Sequence, residues 1–172
     1  MQVQYTQIEI SRNGASMKIY QFKSSIWLPQ PRHEVFSFFS NAMNLEELTP
    51  PWLEFHVVTP MPIRMREGTT IDYRLKVRGF TLGWQTRIAV WDPPRSFIDE
   101  QIRGPYRTWI HEHKFTEEAG GSLCEDVVNY APIGGAIINK LFVERDVRVI
   151  FSYRAARLQE RFGSAVTESK LR

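Results

Sequence analysis

The hydrophobic period of this chain changes late and decisively. Between Lys18 and Tyr130, apart from a short interval after Pro31, apolar residues recur at every second position, which is the spacing of strands with one buried face. From about Gly135 to Phe162 they recur at helical spacing, with Ile137, Leu141, Phe151, Ala155, Leu158 and Phe162 in one stripe. At about 1.5 Å per residue that helix is on the order of 40 Å long. A sheet with one apolar face needs a cover, and this helix is the element long enough to supply it.

The strand pattern is explicit. Tyr20, Phe22, Ser24, Ile26 and Leu28 share one face of a first strand, which Pro29 and Pro31 end. Pro31 suits a helix start, with Val35, Phe36, Phe38 and Phe39 as the apolar side. A second short helix runs from Asn41 to Leu48 and stops at Thr49-Pro50-Pro51. Trp52 to Val58 reads as a strand. In Thr70 to Arg78, Ile71, Tyr73, Leu75 and Val77 oppose Asp72, Arg74, Lys76 and Arg78. Phe80 to Trp91 places Leu82, Trp84, Thr86, Ile88 and Val90 together. Phe97 to Arg103 and Tyr106 to Phe115 form a hairpin around Gly104-Pro105, and Ser122 to Tyr130 comes next. The expectation is an α+β fold whose seven-stranded antiparallel sheet wraps a terminal helix.

With 172 residues, one domain is the simplest division. Residues 1–17 read as a polar arm with an Asn13-Gly14 turn signal, 18–162 as the domain and 163–172 as a polar tail. Met1 to Met17 has no apolar core of a signal peptide, and no apolar run nears the roughly 20 residues of a membrane span. The single cysteine, Cys124, excludes an internal disulfide and suits a reducing compartment, so a cytoplasmic location is expected. A net charge of +3 carried by scattered basic residues does not make a nucleic-acid binder. Arg74, Lys76 and Arg78 form a basic stripe, but the aromatic residue of that strand lies on its other face.

The segments Leu45-Glu46-Glu47-Leu48-Thr49-Pro50-Pro51-Trp52-Leu53, Trp91-Asp92-Pro93-Pro94 and Gly104 to Phe115, with Asp126-Val127-Val128-Asn129-Tyr130, resemble one group. It is the bacterial ligand-binding branch of the SRPBCC superfamily, which includes START-type lipid-binding domains, polyketide cyclases and dehydrases, and birch-pollen-allergen-like proteins. The resemblance covers about residues 18–162. It implies a helix-grip fold of β-α-α-β6-α order, with a strongly bent sheet, a cavity and a small hydrophobic ligand. It implies no particular reaction and no cofactor.

His111 and His113 stand two apart on a strand and share a face with Trp109 and Phe115. Asp99 and Gln101 share one strand face, and Asp126, Val128 and Tyr130 share another. If these faces point inward, a carboxylate paired with a histidine can do general acid–base work. If they point outward, the same residues are ordinary solvated strand positions. A His-x-His pair is also half a metal site, needing a third ligand such as Asp126 or Asp99; with none placed, no metal is assigned. Glu144 and Arg148 fall inside the apolar stripe of the terminal helix and are spaced to pair with each other. They are expected at the cavity mouth, against a polar ligand end.

The leading functional expectation is non-catalytic binding of a small hydrophobic or amphipathic molecule. Phe22, Trp52, Tyr73, Trp84, Trp109 and Tyr130 supply the aromatic lining. The first alternative is a cyclase or dehydrase-like enzyme using His111 or His113 with Asp99 or Asp126. The second is an interaction module in which the aromatics simply fill the core. No nucleophile elbow, dinucleotide fingerprint or phosphate loop is present in the sequence.

Overall fold

Val3 and Tyr5 alternate with glutamines in an otherwise polar segment, which suffices for an edge strand with one face on a core. The computed structural model describes the backbone of residues 1–12 and 15–163, and the side chains of residues 1–7 and 18–163. In it β1 (Gln2–Arg12) pairs antiparallel with β2 (Ala15–Leu28), from Gln2 opposite Ser25 to Arg12 opposite Ala15. The segment expected to be a loose arm is therefore a strand and the start of the next. The Tyr5 ring meets Phe22 edge-on at 5.0 Å, and its hydroxyl donates to the main-chain oxygen of Glu144 at 3.0 Å. The Asn13-Gly14 turn and the polar tail beyond Gly163 lie outside the described residues.

After β2 come α1 (Arg32–Phe39) and α2 (Asn44–Leu48), then β3 (His56–Val57), β4 (Thr70–Val77), β5 (Phe80–Asp92), β6 (Ser96–Arg103), β7 (Tyr106–Glu118) and β8 (Gly121–Pro132). The strands form one antiparallel sheet of eight, ordered β1-β2-β8-β7-β6-β5-β4-β3. The eighth strand, against an expected seven, is β1. The strand expected over Trp52 to Val58 shrinks to two residues, because Pro51 to Leu53 makes a single 3₁₀ turn instead. Pro50 and Pro51 lack the N–H that a ladder requires.

Two register shifts interrupt β5 against β6, between Gln85 and Thr86 and between Ile88 and Val90. The second flips the alternation. Val90, expected beside Ile88, is exposed, and Trp91 turns inward to within 5.3 Å of the Phe36 ring. Such bulges bend a strand and increase its twist, so they help the sheet curl.

Gly134 and Gly135 adopt φ of +92° and +68°, where an L side chain is strained, and turn β8 into the terminal helix. That helix is not uniform. α3 (Gly135–Ile138) runs into a π turn over Asn139–Val143 before α4 (Glu144–Phe162). A π turn holds about one residue more than an α turn. It puts α3 out of phase with α4. Ile137 and Leu141, expected in the buried stripe, are accordingly exposed, while Val147, Phe151, Arg154 and Leu158 are buried. Val147 and Phe151 pack with Phe22, Val128 and Tyr130, and Leu158 packs with Phe36, Phe97 and Phe115.

Candidate functional site

Alternation in β7 sends Trp109, His111, His113 and Phe115 to the inner face of the sheet, under α4. The neighbouring strands add one carboxylate each. Asp99 of β6 lies opposite His111, and Asp126 of β8 lies opposite His113. α4 adds Arg154, three residues after Phe151 and four before Leu158, on the buried side of the helix. His111, His113, Asp126 and Arg154 all keep less than a tenth of their surface.

The two imidazoles bridge the two carboxylates. Nε2 of His111 and Oδ1 of Asp126 are 3.0 Å apart, as are Nε2 of His113 and Oδ2 of Asp99. On the other side of each ring, Nδ1 of His111 is 3.7 Å from the same Asp99 oxygen. Nδ1 of His113 comes to 3.0 Å from Oδ1 of Asp126, but off the line a hydrogen bond needs, and stays without a partner. Arg154 reaches to 3.9 Å from Asp126. Phe97 stacks on His113 with ring centres 4.1 Å apart, and the Arg154 guanidinium lies 5.0 Å from the Phe39 ring centre.

Burial alone would raise both carboxyl groups. It is outweighed. The charge of Arg154, the hydrogen bond from His111 and the close approach of His113 hold Asp126 well below the usual carboxylate range, and His113, with help from His111, lowers Asp99. Burial and the charge of His113 push His111 down, against the pull of Asp126 and Asp99. For His113 the pull of both carboxylates exceeds the desolvation, and its affinity for a proton rises. Two carboxylates thus face one guanidinium and two imidazoles, of which His113 holds a proton the more readily. Burial also raises the phenol of Tyr73 and pushes the Cys124 thiol up to about 12.

A cavity of about 940 Å³ lies between the inner sheet face and α4. Asp99, His111, His113 and Arg154 line its polar part, and Tyr73, Trp84, Trp109 and Phe151 are among its walls. Trp52 stands at the mouth, 58% exposed, and meets Tyr153 of α4 edge-on at 6.0 Å. Near the far end of the helix, Arg78 of the β4–β5 turn pairs with Asp146 at 3.0 Å and lies over the Phe142 ring at 4.4 Å. Lys76 of the same stripe pairs with Glu54. Asp126 does not line the cavity; it stands behind the histidines.

Of the residues singled out in the sequence, Trp52, Tyr73, Trp84, Trp109, His111, His113 and Asp99 come together around one space. Five do not. Phe22 and Tyr130 are fully buried, Phe22 against Tyr5 and Phe151 and Tyr130 against Trp109 and Tyr106. Gln101 braces the β6–β7 hairpin, donating to the Tyr106 carbonyl at 2.8 Å and accepting from the Tyr106 N–H at 3.3 Å. Glu144 and Arg148 pair at 3.1 Å as their spacing predicts, but beside β1, with the Arg148 guanidinium over the Tyr5 ring. Both lie within α4 itself, one residue from the buried Val147 stripe on the side toward β1, and neither lines the cavity. Arg154 is the residue the sequence reading missed. Its signal was a cation on the stripe that carries Phe151 and Leu158.

Among the described residues no helix is long and apolar enough to cross a membrane. No curated protein matches the chain closely enough to be counted a relative. Its fold is similar to that of several solved structures. One is the Zhui aromatase/cyclase of a Streptomyces species, at 11% identity and a TM-score of 0.66, covering 83% of this chain and 93% of that one. Another is the major latex-like protein 151 of Panax ginseng, at 7% identity and a TM-score of 0.63, covering 84% and 97%. A third, from Chromobacterium violaceum, has 13% identity and a TM-score of 0.66, covering 83% and 96%. Residues 28–153 match the family described as polyketide cyclase / dehydrase and lipid transport. The chain, a helix-grip protein of the SRPBCC superfamily, belongs to that family.

Proposed function

We propose that the protein binds one small hydrophobic or amphipathic molecule between the sheet and α4, without transforming it. The observation that carries this reading is the cavity of about 940 Å³, a size that suits small-molecule sites. Its walls offer the faces of Trp84, Trp109 and Tyr73 to an apolar body. Asp99, His111, His113 and Arg154 offer donors and acceptors to a polar end. Because that polar end already holds the Asp99 carboxylate, a neutral hydroxyl or carbonyl suits it better than a free acid. An interior of this size weighs against a core filled by its own aromatics. A cytoplasmic location suits the single, buried Cys124. Native mass spectrometry of the purified protein, with organic extraction after it, tests the reading. A reproducible bound small molecule is expected. Protein that carries nothing and gives no thermal shift across a panel of lipids and polyketide-like compounds overturns it.

One observation favours a second reading. Two buried histidines, each on a carboxylate, border the same space, which is the arrangement general acid–base catalysis of a cyclase or dehydrase reaction needs. Conversion of a polyketide-like compound that survives His111→Gln and His113→Gln together would remove it.

A further inference from the structure

The inner nitrogens of both histidines converge on one oxygen. Oδ2 of Asp99 lies 3.0 Å from Nε2 of His113 and 3.7 Å from Nδ1 of His111. One ligand atom from each of the three residues lies within 4.8 Å of the other two. The outer nitrogens converge as well, on Oδ1 of Asp126, each at 3.0 Å. A neutral imidazole has one N–H. When His111 donates from Nε2 to Asp126, its Nδ1 presents a lone pair toward Asp99. The same holds for His113 when Nδ1 carries its hydrogen. In that state two lone pairs and a carboxylate oxygen aim at one point, and either a proton on Nε2 of His113 or a bound cation relieves their repulsion.

We propose that Asp99, His111 and His113 form a divalent transition-metal site, with Asp126 as the outer carboxylate that orients both imidazoles and Arg154 as the cation that steadies Asp126. Four features support this assignment. Zinc bonds of 2.0 to 2.2 Å to nitrogen and oxygen, in a tetrahedral shell, put neighbouring ligand atoms roughly 3.4 Å apart. The two closest approaches, 3.0 and 3.7 Å, bracket that spacing. The ligands come from adjacent strands of a sheet rather than from a loop, so little ordering remains when an ion enters. A ligating histidine characteristically gives its other N–H to a carboxylate, and Asp126 faces the outer nitrogen of both rings. Nδ1 of His113, buried and without a hydrogen-bond partner, is explained if ion binding draws the ring into line with Asp126.

The donor set selects the ion. Two imidazoles and one carboxylate suit Zn²⁺ or Fe²⁺, whereas Ca²⁺ and Mg²⁺ require oxygen shells. All three ligand residues line the cavity, so the remaining coordination position opens toward it. The site stands independently of whether the cavity takes an organic ligand.

The test uses the full chain, stripped with a chelator and titrated with Zn²⁺ against a chromophoric competitor. One Zn²⁺ per chain is expected, and Co²⁺ in its place should show the intense visible bands of a tetrahedral shell. Asp99→Asn and His113→Gln should each weaken Zn²⁺ binding at least tenfold, and Asp126→Asn by about 10- to 100-fold. His33→Gln, exposed on α1, should change nothing. Absence of stoichiometric binding overturns the proposal. So does stoichiometric binding that survives both Asp99→Asn and His113→Gln. If those variants do not fold, X-ray absorption on the wild-type zinc protein decides. Two imidazoles with a carboxylate oxygen support the site, and any other shell overturns it.

Discussion

Arg154 of α4 reaches to within 3.9 Å of Asp126 on β8, and adds a buried charge contact between helix and sheet to the apolar packing of Val147 and Phe151. Both side chains are buried, so neither charge has water to replace the other. Replacing Arg154 by methionine keeps much of the volume and strands the carboxylate. A loss of about 3 kcal/mol at pH 7 is expected, read by denaturant unfolding with a chelator present.

The same pair sets an acid limb. Asp126 is held below its unfolded-state value, so its contribution to stability is present above about pH 4 and is lost as pH falls through the folded-state value. Arg154→Met removes part of that depression. The gap in unfolding free energy between wild type and variant should therefore narrow as pH drops below about 4. A gap that stays constant from pH 7 to pH 3 contradicts the assignment of Arg154 as the partner of Asp126.

Cys124 sits in the core beside Phe115 and Ile26, and burial, with the nearby Asp126 charge, pushes its thiol up to about 12. The thiolate is the reactive form. Iodoacetamide at pH 8 should leave native protein unmodified over a time in which denatured protein is fully alkylated, as mass spectrometry will read.

Tyr5 ties β1 to the helix by one hydrogen bond, its hydroxyl to the Glu144 carbonyl. Tyr5→Phe keeps the ring contact with Phe22 and removes only that bond. A cost of about 1 kcal/mol is expected. No measurable cost would mean that β1 adds nothing to the helix contact in solution.

What the sequence disclosed and what it hid divide along physical lines. Ile71, Tyr73 and Leu75, or Trp109, His111 and His113, declare their faces because alternation reports burial directly. The meeting of Asp99 with His113 was readable as a possibility, since both faces pointed inward under one assumption about register. Three things were not readable. A bulge at Ile88 to Val90 depends on how β5 meets β6, which no local pattern records. The π turn at Asn139 to Val143 shifts the phase by one residue and moves Ile137 and Leu141 off the face that α4 buries. β1 lies at the sheet edge, and the alternation of Val3 and Tyr5 is too short a signal to announce it against the polar residues around them.

Trp52 offers a test of how the cavity is entered. Its ring is more than half exposed, borders the cavity and meets the Tyr153 ring of α4 at 6.0 Å. Truncating so exposed a side chain removes little buried surface, so Trp52→Ala should change stability by less than about 1 kcal/mol. It should nevertheless widen the passage between the Pro51–Leu53 turn and the helix. Stopped-flow mixing with anilinonaphthalene sulfonate, a fluorescent apolar anion, reads this directly. Faster association and dissociation with a nearly unchanged equilibrium constant are expected, since a door alters rates in both directions alike. A large loss of affinity with unchanged association would instead make Trp52 part of the binding wall, and entry would then lie at the Arg78–Asp146 end of the cavity.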